Sequence, residues 1–157
     1  MSLQSRFRTK IRLHGAGKTG VRTQFAALPW RMDGEKLRFC LVTSRTNRRW
    51  IIPKGWPIDG LTPAASAEHE AWEEAGLKGK IDDRCIGVFS YVKPLDRTLA
   101  PCLAMVFPLK VKKVAGRWPE AGERRRRWVS RKKALKLVDA PELARIIETF
   151  DPRELAR

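Results

Sequence analysis

The stretch HEAWEEAGL, residues 69–77, sets Glu70, Glu73 and Glu74 within little more than one helical turn. At about 100° per residue, with Glu70 at zero, Glu74 lies at about 40° and Glu73 at about 300°, so all three share one narrow arc. Like charges this close weaken a helix by a few tenths of a kcal/mol per pair, and the helical residues supply no Lys or Arg in relief. A solvated acidic face is the ordinary fate of such a helix surface. The other reading is chemical: hard cations such as Mg²⁺ or Mn²⁺ take carboxylate oxygens, water and substrate phosphate as ligands. A divalent ion among the three glutamates would offset their repulsion.

The elements that must hold this cluster can be read on either side of it. Thr62 suits a helix N-cap, Pro63 the first helical position and Gly76 the C′ position, which predicts a helix over 63–75. Its small residues Ala64, Ala65, Ala67, Ala71 and Ala75, with Trp72, spread across about 60–220° and predict a close packing face. Glu68 falls among them without an evident partner. Upstream, TQFAALPW and KLRFCLVTSR read as strands joined at an Asp33-Gly34 turn, and RRWIIPKG as a short strand ended by Pro53 and Gly55. Downstream, CIGVFSYV and CLAMVFPLKV read as central strands, and RRRRWVS as a strand with an exposed basic face. RKKALKLVD and PELARIIETF predict C-terminal helices, the second burying Leu143, Ile146, Ile147 and Phe150. The fold class is α+β: a mixed sheet, one central helix and helical material at the end.

The 157 residues suit one domain, and 43% hydrophobic content with 32% charged content is globular. The 33 Lys and Arg against 17 Asp and Glu give a formal net charge of +16. That field attracts polyanions such as nucleic acid, an anionic surface or a phosphorylated small molecule, without choosing among them. Cys40, Cys85 and Cys102 lack framework or zinc-site spacing and read as buried thiols in a reducing compartment. No stretch approaches the length of a membrane span, and the first residues carry no apolar signal core, so the expected location is cytoplasmic and no membrane partner is expected. GAGKTG, residues 15–20, imitates a phosphate-binding loop, but Arg12 stands where that motif needs Gly.

Gly55-x5-Leu61-x7-His69-Glu70-Ala71-Trp72-Glu73-Glu74-Ala75-Gly76-Leu77 resembles the Nudix box, G-x5-E-x7-R-E-U-x-E-E-x-G-U, with U a bulky aliphatic residue. Gly55, Glu70, Glu73, Glu74, Gly76 and Leu77 stand at the family's spacings. Leu61, His69 and Ala71 depart from it. LVTSRTNRRWIIPKGWPIDG, EAWEEAGLKGK and GERRRRWVSRKKALKLV are further similar to diphosphoinositol polyphosphate phosphohydrolases, so the likeness runs from about Arg22 to Phe150. It implies an α/β/α sandwich with a mixed central sheet and a loop–helix–loop box. The expected organisation is a basic arm over 1–20, a Nudix domain over 21–150 and a tail over 151–157.

The resemblance implies hydrolysis of a phosphoanhydride, as in an inositol pyrophosphate or a dinucleoside polyphosphate, with Mg²⁺ or Mn²⁺ as cofactor. It makes the Gly55 carbonyl, Glu70 and Glu74 inner metal ligands, with Glu73 sharing the cluster and Glu70 or a neighbouring acid deprotonating the attacking water. Leu61 removes an outer carboxylate from that scheme. His69 takes the place of the box Arg and is expected to orient a glutamate. In the resembling phosphohydrolases the positions of Ser44 and Arg45 face substrate phosphates. Arg22, Lys54 and Arg97 are further candidates, since a guanidinium can grip phosphate with two parallel hydrogen bonds. Trp56 is the aromatic residue placed to stack on a substrate ring. Two alternatives stand beside this: a Nudix-fold RNA-binding module with weakened catalysis, and an RNA 5′-end pyrophosphohydrolase. The sequence leaves the oligomeric state and the exact substrate open.

Overall fold

The computed structural model describes residues 21–95 and 98–156. Arg97 and the 1–20 arm with its GAGKTG stretch therefore lie outside the described residues. Strands β1 (Arg22–Asp33) and β2 (Lys36–Thr43) form the expected hairpin, but Asp33 pairs with Lys36, so the loop is Gly34-Glu35. Gly34 takes φ 65° at the first loop position, where glycine is favoured.

The hairpin ladder runs only from Asp33↔Lys36 to Trp30↔Phe39. The next rung would set Pro29 against Cys40, and Pro29 has no N–H to give. Pro29 faces the same side of β1 as Ala27, whose N–H is taken by Pro53 O at 2.9 Å. The sheet therefore splays at Pro29. One half continues from β2 to β3 (Trp50–Ile51) and β8 (Arg126–Ser130). The other follows β1, which runs parallel to β7 (Thr98–Val114). β4 (Lys54–Gly55) pairs with β1 at Ala26 and Phe25 beside the opening.

β7 is long enough to serve two successive antiparallel partners, β6 (Gly87–Leu95) and β5 (Leu77–Ile81). Among the described residues β6 pairs with β7 alone, so CIGVFSYV forms an edge strand and not a central one. β1 and β7 carry the core on both faces, which accounts for their near-continuous apolar runs. Phe25, Ala27, Met105 and Phe107 lie on one side; Ala26, Leu28, Ala104 and Val106 lie on the other.

Helix α1 (Pro63–Ala75) covers the first side. Thr62 Oγ1 accepts from Ala65 N at 3.1 Å, and Gly76 stops the helix at φ 66°. Its buried residues are Ala64, Ser66, Ala67, Ala71, Glu74 and Ala75. The packing face is thus rotated from the expected one. Trp72 is half-buried at its margin, under Lys78 Nζ at 4.5 Å, and Glu74 lies inside it. Helices α2 (Arg131–Leu137) and α3 (Pro141–Thr149) cover the second side, with Leu143, Ile146, Ile147 and Phe150 buried as their spacing predicts. Glu142, in the first turn of α3, accepts from Ser90 N at 2.8 Å and so ties that helix to β6. The 151–157 stretch is not featureless, since Pro152–Ala156 forms a 3₁₀ turn. The result is a mixed sheet between helical layers.

Candidate active site

Glu70 and Glu74 leave α1 toward β4. A Cβ added to Gly55 would fall 2.5 Å from Glu70 Oε1, so the carboxyl lies directly on the glycine and any larger residue there would push it aside. Burial raises the Glu70 carboxyl above its ordinary range; Glu120 and Glu73 add to this, against His69 and Arg124. Glu74 is only 4% exposed. Its Oε1 is 3.1 Å from Arg124 Nη2, while its Oε2 is buried without a hydrogen-bond partner among the described residues. Burial pushes the Glu74 carboxyl up to about 8 against the pull of Arg124 and Lys54, with Glu70 and Glu120 pushing the same way. Lys54 answers in kind: burial lowers its ammonium, and Glu74 opposes that.

Two residues of this cluster are not among the sequence candidates. Glu120, on the segment between β7 and β8, donates its N–H to Glu73 O at 3.0 Å and so docks against the end of α1. Arg124 is buried at 9% exposure and uses all three guanidinium nitrogens. Nε donates to Glu120 Oε1 at 2.9 Å, Nη1 to Thr43 O at 3.0 Å, and Nη2 pairs with Glu74. The basic run at 124–127 is therefore not a plain solvated surface. Arg126 also turns inward, donating to Ala75 O at 2.8 Å and stacking on Trp118 at 4.0 Å. The only sequence signal for Glu120 and Arg124 is a glutamate and an arginine four residues apart in an otherwise basic stretch.

A cleft of about 740 Å³ lies between β3, β4 and β6. Glu74, Lys54 and Arg124 line it together with Ser44, Arg45 and Lys93, and Phe89, Tyr91 and Leu143 form an apolar wall. Lys54 Nζ sits 4.6 Å from the Tyr91 ring centre. Arg45 is held by Glu123 at 3.6 Å. Ser44 shapes its own turn, bonding Asn47 Oδ1 and accepting from Arg49 N at 3.1 Å. Trp56 is 37% exposed, with Lys93 Nζ 5.2 Å from its ring centre, next to the cleft. Arg22 opens β1 opposite Cys102, and its Nε is buried without a partner among the described residues. His69 Nε2 lies 3.3 Å from Glu73 Oε1, so its orienting contact falls on Glu73.

Among the described residues no three acidic, histidine or cysteine side chains converge into a ready ion-ligating group. Arg124 and His69 occupy oxygens of Glu74, Glu120 and Glu73. The donor chemistry nevertheless fits a hard divalent ion. Glu70 and Glu74 offer carboxylate oxygens beside β4, and Glu74 Oε2 is a buried acceptor that accepts from no described group.

The family model described as NUDIX domain matches residues 21–150. The chain belongs to the Nudix family. Among relatives of this Nudix chain, Nudix hydrolase 12, mitochondrial, of Arabidopsis thaliana is 34% identical over 119 residues, 73% of this chain and 59% of that protein. Diphosphoinositol polyphosphate phosphohydrolase 3-alpha of Homo sapiens is 31% identical over 122 residues, 76% of this chain and 70% of that protein. The chain spans about three fifths of the length of the two Arabidopsis relatives that match it at 34% and 31%. The crystal structure of the C. elegans Ap4A hydrolase superposes with a TM-score of 0.60 at 18% identity, over 82% of this chain and 94% of that one, a likeness of fold.

Proposed function

We propose that this Nudix chain is a divalent-cation-dependent pyrophosphohydrolase that cleaves a phosphoanhydride in a polyphosphorylated small molecule of the diphosphoinositol polyphosphate or dinucleoside polyphosphate type. The observation that carries this reading is that Glu74 lines a cation-walled cleft of the size small-molecule sites have, while Glu70 is seated on Gly55, the neighbour of the cleft residue Lys54. Glu70, Glu74 and the Gly55 carbonyl would hold Mg²⁺ or Mn²⁺, with Glu73 beside them. A bound divalent ion would neutralise phosphate oxygens and lower the pKa of water.

The chain's own groups supply the rest. Lys54, Arg45 and Lys93 line the cleft and would present positive charge to the phosphates, fixing the chain of phosphorus atoms along it, with Arg22 a further candidate outside the lining. Glu70 or a neighbouring acid of the cluster would take the proton of the attacking water. The water oxygen bonds to one phosphorus, the bridging P–O bond breaks, and the leaving phosphate keeps the electron pair. Trp56 and Tyr91 offer ring faces at the cleft's edge for the rest of the substrate. The human and C. elegans relatives carry substrates of these two types in their names, which supports the choice of class.

The test is a panel of inositol pyrophosphates and dinucleoside polyphosphates assayed with Mg²⁺ and with Mn²⁺. Wild type should release phosphate or nucleotide, and Glu70→Gln and Glu74→Gln should each lower kcat by at least about 100-fold. Unchanged turnover in either variant refutes the mechanism.

RNA, as bound ligand or as 5′-end substrate, is a second reading favoured by one feature. Lys78↔Lys113 and Lys80↔Lys110 face one another across β5 and β7, all four exposed. Like charges directly opposite are unfavourable unless a polyanion lies over them. RNA binding with a steep salt slope, weakened by Lys80→Glu, would support it; salt-independent binding would discard it.

A further inference from the structure

The mutual repulsion of the glutamates on α1 is offset in part by the protein itself. Arg124 enters the acidic cluster as a fork. One edge reaches Glu120 at 2.9 Å, another Glu74 at 3.1 Å, and the third nitrogen is pinned to the Thr43 carbonyl at 3.0 Å. Thr43 is itself fixed: its N–H donates to Arg125 O at 3.0 Å, and its Oγ1 accepts from Arg125 N at 2.9 Å. The guanidinium is thus mounted on the β2–β8 half of the sheet, and it grips acids that belong to α1 and to the β7–β8 segment. Glu120 is in turn tied to α1 by its own N–H to Glu73 O. The fork is planar, always charged and fully engaged, which a lysine could not imitate.

We propose that Arg124 is a positioning residue for the cation site. It serves as a resident counter-charge that fixes Glu74 through Nη2, with Glu120 bracing its Nε edge, so an arriving ion meets Glu74 already placed. This rests on the metal-dependent function proposed for the chain. The groups facing Glu74 that bear on it are Arg124, Lys54, Glu70 and Glu120. Partners that orient metal ligands are worth roughly 10- to 100-fold in metal affinity.

The experiment is a Mn²⁺ titration of the purified chain followed by electron paramagnetic resonance, with no substrate present. Arg124→Gln should bind Mn²⁺ roughly 10- to 100-fold more weakly than wild type at an unchanged circular dichroism spectrum. Arg124→Lys keeps the charge and loses the fork; it should fall between the two, and it carries the test if Arg124→Gln does not fold. Affinity that is unchanged in the folded variants shows Arg124 has no bearing on the ion and overturns the inference alone. Affinity that rises shows a competitor in place of a support and likewise overturns the inference alone. No Mn²⁺ binding by wild type overturns the metal-dependent function and this inference with it.

Discussion

Arg124 and Arg84 make the same kind of contact in opposite surroundings. Arg84 grips Asp82 with two parallel bonds of 3.1 and 3.0 Å and reaches the carbonyls of Glu154 and Leu155 at 3.3 and 2.7 Å, tying the 3₁₀ turn to the β5–β6 segment. Its side chain is 46% exposed, against 8% for Arg124. In water the Arg84 fork competes with solvent and salt for every bond it makes. In the interior, Arg124 and Glu74 depend on each other, and losing one strands the other. The geometry is shared; the consequence of breaking it is not.

The largest expected effect follows from that difference. In metal-free buffer above about pH 8, where Glu74 is ionised, Arg124→Gln should lower the unfolding free energy by about 3–5 kcal/mol, read from urea transitions, because the Glu74 charge then lies buried without its partner. A loss no greater than that of Arg84→Gln would erase the distinction between the two sites.

Next in size is Gly55→Ala. The added Cβ would force the Glu70 carboxyl off its seat, and displacement of a reacting group by about 1 Å can cost about 100-fold in rate. Steady-state kinetics should show that fall with little change in melting temperature, since Glu70 is not part of the Arg124 grip. Retained activity would mean that the seat does not matter.

The pH dependence should run in opposite directions at the two sites. Glu74 is raised by burial from 4.5 to about 8, so the fold binds its proton more tightly than the unfolded chain does. Its contribution to stability therefore declines as pH climbs from about 4.5 to about 8 and is level above that. Asp82 is lowered by its hydrogen bonds to Arg84, so its contribution is full above its ordinary 3.8 and lost as pH drops below it. Melting curves in chelator should lose the downward slope in Glu74→Gln and the acid-side loss in Asp82→Asn. Parallel curves for all three proteins would show that neither group is coupled to folding as described. The smallest effect is expected for Arg84→Gln, whose change in melting temperature should shrink further in high salt; salt-insensitive destabilisation would point to burial that the structure does not show.

Local chemistry made much of the fold legible. Thr62, Pro63 and Gly76 bounded α1 because caps act through backbone groups within one turn, and the period of Leu143, Ile146 and Ile147 exposed the inner face of α3. The box spacing located Glu70, Glu73, Glu74 and Gly55 because it encodes one helix and one turn. Strand β5 escaped because LKGKI buries only part of one face, and Gly79 sits at a bulge where its lack of a side chain suits Lys110 O. Arg124 escaped for a different reason. Within RRRR nothing local distinguishes Arg124, two residues ahead of the strand, from those in it; its burial comes from Thr43 and Glu74, 81 and 50 positions away in sequence. The same long-range dependence hid the rotation of α1 that takes Glu74 inside.

Pro29 decides which segment lies beside β1. With no N–H opposite Cys40, the hairpin ladder ends at Trp30↔Phe39, and the chain itself comes back into the space, Ile51 pairing with Val42 and Lys54 with Ala26. One missing proton thus makes room in the middle of the sheet for Lys54 and Gly55, and with them for the seat of Glu70.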